Sequence, residues 1–251
     1  MSLVVACLAL TVVVGAVLQR AAGLGFAMIL SPVAVALLGP VSGVMLVNCL
    51  AIGSSALIMP AVWPRIDWRR YVPIIVASVP GVLAGTWMSS ALPHGWLEIV
   101  IGVMLAGGLL ITALLPRAAG RGERPVLRAV TGGAAGAMSA TAGAGGPAIV
   151  IYATVAQWPF PTLAATIQPY FATVAGMALA GKLIAQPEEW PAFDVAGWAM
   201  LAAALLVGTL VAHVVASRIP LRVARSAAYL IAWCGAGVAV LRGVLILMEQ
   251  L

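Results

Sequence analysis

Long apolar runs separated by short polar breaks make up nearly the whole chain. They divide it into ten segments predicted as helices. In the first half these are 3–19, 25–38, 41–62, 71–91 and 94–115; in the second, 126–141, 145–156, 162–184, 194–217 and 222–248. Several approach or exceed the ~20 residues that a helix needs to cross a bilayer. The first two segments of each half are short. Segment 25–38 would extend only about 21 Å at 1.5 Å per residue, against a hydrocarbon core of ~30 Å. Such a pair is either a hairpin dipping into the membrane or two thin crossings.

The pattern repeats. WPRID at Trp63 to Asp67 recurs as WPAFD at Trp190 to Asp194, an offset of 127 that also carries Gly81 onto Gly208 and Pro93 onto Pro220. Earlier in the chain the offset is 120, pairing Gly25 with Gly145 and Asn48 with Gln168. The difference falls in the loop at 182–189. An ordered series of matches predicts a duplicated chain, with residues 1–116 as a first transmembrane repeat, 117–128 as a basic linker and 129–251 as a second repeat.

Composition removes most other classes. The chain of 251 residues is 63% hydrophobic and 8% charged, with a mean hydropathy of +1.13; a soluble domain carries roughly 25% charged residues. The longest polar stretch, Pro116 to Arg128, leaves no room for a separate soluble domain. The opening MSLVVACLAL has no basic n-region, so it reads as a first membrane segment rather than a cleaved signal. Cys7, Cys49 and Cys234 lie far apart in apolar runs and read as small buried hydrophobes. The bias of twelve Arg to one Lys, with abundant Ala, Val and Gly, hints at a high-GC bacterial genome.

The net charge of +6 sits in short loops, where it signals topology rather than nucleic-acid binding. Arg65, Arg69 and Arg70 follow the third segment of the first half; the equivalent loop of the second half holds Glu188, Glu189 and Asp194. The next loop reverses this: Leu92 to Trp96 has no Arg or Lys, while its counterpart holds Arg218, Arg222 and Arg225. The central linker adds four arginines. By the positive-inside rule, 63–70, 116–128 and 218–225 are cytoplasmic, and 39–40, 92–96 and 185–193 are outside. Equivalent loops then face opposite sides. The expected fold is an all-α polytopic membrane protein of two inverted repeats, about five segments each, with both termini outside. Secondary transporters are built this way.

Catalytic chemistry finds little support. Six of the seven acids lie in loops or at segment ends, and Glu98 lies near the start of its helix. His94 and His213 are far apart, and no cluster has metal-ligand spacing. Neither a Walker loop nor a nucleophile elbow occurs. The reading is no enzyme, no cofactor and no metal.

The apolar interior holds glycine and neutral polar residues instead. LQRAAGLGFAMILSP and MSATAGAGGPAIVIY each read as a helix that ends, glycines, and a new helix. A helix N-terminus exposes unpaired N–H groups and the positive end of the dipole, and glycine lets a small anion approach them. Pro147 suits a first helical turn. Two inverted hairpins would bring two such ends to the midplane. Gly23, Gly25, Gly145 and Gly146 are the candidates; Gly132, Gly133 and Gly136 read as a packing face. Arg20, beside Gln19 at the hairpin tip, is either a buried cation of the site or a surface charge, and its counterpart is Ala140. Asn48 and Gln168 could hydrogen-bond a substrate oxygen, as could Thr141 and Tyr170; the alternative is interhelical glue of ~1 kcal/mol each. Tryptophans near segment ends read as an interfacial belt.

QRAAGLGFAMILSP in the first half, with TAGAGGPAIVIY followed by LAATIQPYF in the second, resembles the TauE/SafE family of sulfite exporters, also called the 4-toluene sulfonate uptake permease family. The resemblance covers nearly the whole chain, with a departure at Gly-Leu-Gly where a Gly-Gly-Gly form is more usual. It implies a transporter of small sulfur-containing or organic anions in the bacterial cytoplasmic membrane. It also implies glycine hairpins at Gly23 to Phe26 and Gly143 to Pro147, with polar site positions at Gln19, Asn48, Gln168 and Tyr170. Partners would be a small anion and the bilayer, in a monomer or homodimer. The competing reading is a non-transporting membrane scaffold whose glycines serve helix packing.

Overall fold

The computed structural model describes residues 2–22, 25–114, 124–215, 218 and 220–249. Among these are ten α-helices and no strand: α1 (Ser2–Ala22), α2 (Phe26–Leu38), α3 (Pro40–Val62), α4 (Trp68–Ala91), α5 (His94–Leu114), α6 (Pro125–Ala142), α7 (Gly146–Val155), α8 (Phe160–Ala185), α9 (Val195–Val215) and α10 (Leu221–Glu249). All ten predicted segments correspond to these helices, with ends shifted by up to three residues.

Seven helices are long and apolar enough to cross a membrane: α1, α3, α4, α5, α8, α9 and α10. With 21 residues, α1 extends about 31 Å, so the expectation of a short first segment does not hold for it. The 13-residue α2 and 10-residue α7 are too short, at about 20 and 15 Å. The 18-residue α6, rich in Gly, Ala, Ser and Thr, is not among the seven.

α3 and α8 form the centre. Their apolar stretches are 67% and 56% buried, whereas those of the other five candidate spans are only 22–39% buried. The outer helices turn Leu10, Leu83, Val103, Leu210 and Leu241 outward, as expected of faces solvated by lipid rather than water. α3 packs on α8 and α5 on α10. α1 packs on α9, and α6 on α4. These pairs exchange with one another when helices 1–5 are swapped for 6–10. α1–α2 with α6–α7, and α2–α10 with α7–α5, exchange in the same way.

Glycine sets the closeness of the crossings. A methyl on Gly81 of α4 would collide with the Gly133 carbonyl of α6, and one on Gly136 with the Ser78 carbonyl. Gly208, 127 residues on, does the same work: a methyl there, on α9, would lie 2.9 Å from Val13 Cα of α1. The match Gly81–Gly208, seen in the sequence as an offset, is thus a match of interfaces.

Two sets of contacts define the ends of the bundle. Ser42 Oγ donates to Glu189 Oε2 at 2.8 Å, and His94 Nε2 lies 3.9 Å from Glu189 Oε1. The starts of α3 and α5 therefore meet the end of α8. At the other end the Asp67 N–H donates to Thr166 Oγ1 at 2.9 Å, and the Arg70 guanidinium lies 5.1 Å from the Trp158 ring centre. Trp158 is buried, so it does not belong to the interfacial belt expected of it. Trp63, Trp68, Trp96 and Trp190 are exposed.

An ion pair with a buried carboxylate and a partly exposed arginine escapes the sequence reading. Glu98 of α5 is 1% exposed, with Oε1 3.6 Å from Arg242 Nη2 of α10. Arg242 Nη1 also donates to the Ala36 carbonyl near the C-terminus of α2, where a cation is favoured by the helix dipole. Replacing Arg242 with Met removes the nearest counter-charge of a buried carboxylate, at a cost of about 1–3 kcal/mol. We expect R242M to melt at clearly lower temperature in detergent, and the R242M/E98Q double variant to recover most of the loss. Equal melting of R242M and wild type would contradict this.

Candidate functional site

α6 ends at Gly143, whose backbone is left-handed (φ 68°). Its N–H donates to the Ser139 carbonyl at 3.0 Å, and the Ala144 N–H to the Met138 carbonyl at 3.3 Å. The chain then turns at once into α7 through Gly145 and Gly146. In the first half α2 starts after Gly25, at φ 129°, a conformation that glycine alone adopts readily. Neither α2 nor α7 has a side-chain cap at its N-terminus.

Both starts open onto one cavity. Gly25, Phe26, Ala27 and Met28 line it from α2, and Gly145 and Gly146 from α7. Gln19 of α1, with Ser139 and Gly143 of α6, lies on further walls. α3 contributes Asn48, Ala51 and Ser55, one face at i, i+3 and i+7; α8 contributes Phe171 and Ala175. Asn48 lies eight residues, about 12 Å, from the start of α3, and Ser55 seven residues, about 10 Å, from its end. The cavity is therefore at mid-depth of the central pair.

Symmetry runs through its lining. The offset of 120 relates Gln19 to Ser139, Gly25 to Gly145, Phe26 to Gly146, Ala51 to Phe171 and Ser55 to Ala175, all on the walls. Polar contacts follow the same rule. Gln19 Nε2 donates to Gln168 Oε1 at 3.3 Å, and the equivalent pair is Asn48 Nδ2 to the Ser139 carbonyl at 3.5 Å. Ser54 Oγ donates to Gln19 Oε1 at 2.7 Å and holds that amide in place.

Among the described residues, none that lines the cavity is charged. The electrostatics come from two uncapped helix starts, each with orphan N–H donors and the positive end of its dipole. Ser55 Oγ and Asn48 Oδ1 are buried without a hydrogen-bond partner among the described residues. As the oxygen and nitrogen of an amide can exchange by a flip, Asn48 can offer either a donor or an acceptor. Such a concavity suits a small anion held mostly by backbone.

Of the ten residues singled out in the sequence, five line this cavity: Gln19, Gly25, Asn48, Gly145 and Gly146. Gln168 lies behind them and reaches the site through Gln19. Gly23 lies outside the described residues. Arg20 sits elsewhere: its Nη2 is 3.1 Å from Nδ1 of the exposed His213 on α9. Thr141 donates to the Ala137 carbonyl of its own helix at 2.5 Å. The Tyr170 hydroxyl is 3.0 Å from Ser78 Oγ, beside Ile149 and Trp158 in a separate small pocket. Ser139, Ser55 and Phe171 were not singled out. The offset applied to Gln19 gives the first, and helical spacing from Asn48 gives the second.

Comparison with curated proteins and with solved structures gives no match. A family model described as sulfite exporter TauE/SafE matches residues 7–239. That match covers the helical bundle apart from the first residues of α1 and the last turns of α10, including both helix starts and all the cavity walls. The chain belongs to the sulfite exporter TauE/SafE family, a family of membrane transporters, and is a multi-pass membrane protein.

Proposed function

We propose that this protein exports a small sulfur-containing or organic anion, of the sulfite or sulfonate class, across the bacterial cytoplasmic membrane. The carrying observation is the mid-depth cavity where the uncapped starts of α2 and α7 meet, without a charged side chain in the lining. Backbone N–H groups and a dipole end on each side stabilise one negative charge without binding it too tightly to leave.

Transport runs by alternating access. Residues 1–116 and 129–251 act as inverted repeats joined by the basic cytoplasmic linker 117–128, and rock about the cavity. The exchange of helix contacts between the halves supports this, as does the reversal of loop charge between equivalent loops. Glycine-paired crossings such as Gly81 on Gly133 suit rigid elements that move as units. A membrane potential, negative inside, favours anion efflux by ~2.3 kcal/mol per charge per 100 mV, so an exporter of this kind needs no coupled ion.

Purified protein in liposomes, loaded with sulfite and with a panel of sulfonates, tests the proposal. Efflux of at least one of these anions, faster with the compartment holding the anion negative, is the expected result. No flux of any anion in the panel would overturn it.

A further inference from the structure

At the outer end of α8, Lys182 is fully buried, and its Nζ has no hydrogen-bond partner among the described residues. Two more buried polar atoms in this part of the bundle share that condition. Gln186 Oε1, on the residue that caps the end of α8, is buried and unpartnered among the described residues. So is Thr86 Oγ1 of α4, which would lie 2.9 Å from a methyl on Gly181, the neighbour of Lys182. The carboxylate of Glu189 acts on Lys182 through its field, but its oxygens are engaged with Ser42 and face His94. A buried ammonium with three unused donors, and a counter-charge engaged with Ser42 and His94, is costly without a further partner.

Lys182 is also in line with the cavity. Phe171 and Ala175 line the cavity, and buried Ala178 and Lys182 continue the same face of α8 at i+7 and i+11. Ala175 to Lys182 is about 10 Å along the helix.

We propose that Lys182 and Thr86 form a second anion site, between the central cavity and the outer end of the bundle, for the same class of small oxyanion. The ammonium supplies the charge and Thr86 Oγ1 a further hydrogen bond. Gln186 can turn either end of its amide to the anion or to its water. The inference rests on the transport reading for the identity of the ligand, while its geometry is independent of it.

The test is a titration of the detergent-purified protein with sodium sulfite, by calorimetry, alongside sulfite flux in liposomes. Glu189 is partly exposed and keeps its contacts with Ser42 and His94 when Lys182 is replaced, so K182M leaves no buried carboxylate unpaired and should fold; its melting temperature without sulfite checks this. The wild type is expected to bind two sulfite ions per chain and K182M one. Half-saturation of flux should rise about tenfold in K182M, the effect of losing one hydrogen bond to a charged group, with partial recovery in K182R. Equal stoichiometry in wild type and K182M overturns the second site, whatever the flux shows. Absence of flux with a stoichiometry that falls from two to one overturns the transport reading and leaves the site standing.

Discussion

Replacing Gly145 with alanine is expected to weaken the fold, although the change adds a single methyl group. That methyl would meet the Ala135 carbonyl of α6, with the carbonyl carbon 3.2 Å away and Ala135 Cα at 3.5 Å. Helix backbone cannot turn aside as a flexible side chain does, so α6 and α7 must separate. Overpacking of this kind costs about 3 kcal/mol. For a chain of this length that corresponds to a fall of roughly 5–10 °C in melting temperature, measured in detergent by intrinsic fluorescence. A G145A protein that melts with the wild type would show that α7 does not lie against α6 as described.

Gly146, the next residue, should behave in the opposite way. A methyl there has Phe171 Cζ at 3.7 Å and Met28 Sδ at 3.9 Å, ordinary contact distances. Both of those residues line the cavity. Gly146 is the first residue of α7, without a positive φ, so an L-residue fits its backbone. G146A should therefore fold as well as the wild type. G146V fills more of the same space with two further carbons and pushes the anion off the start of α7. Loss of about two hydrogen bonds to a charged ligand, near 3 kcal/mol, predicts a fall in flux of about 100-fold. Two adjacent glycines thus separate the roles: Gly145 serves packing, Gly146 leaves room for a ligand. A scaffold would need only the first.

Much of this was legible in the sequence because a membrane narrows the choices. Apolar runs, Pro and Gly breaks and the ordered repeat located ten helices, and the offset of 120 marks most of the cavity wall. Gln19, Asn48 and Gln168 were legible as polar residues placed where polarity is costly. What the sequence left open had a geometric reason. Arg20 could belong to the site or to the surface, and the azimuth of α1 sends its side chain to His213 on α9. Tyr170 and Thr141 sit close in sequence to site residues, yet their hydroxyls find Ser78 and a helix carbonyl instead. The Glu98–Arg242 pair was invisible because its two residues are 144 positions apart on helices whose packing no motif encodes. Nor could a Gly-Gly dipeptide disclose which of its two α-carbons faces a backbone and which an open space.

Central to the account is that the anion passes through the cavity at the start of α7. The most direct measurement is sulfite efflux from liposomes containing wild type, G146A or G146V, with melting temperatures recorded on the same preparations. The account predicts three proteins of similar stability, with flux reduced in G146A and about 100-fold lower in G146V. Wild-type flux that persists undiminished in a folded G146V would place the path elsewhere and contradict it.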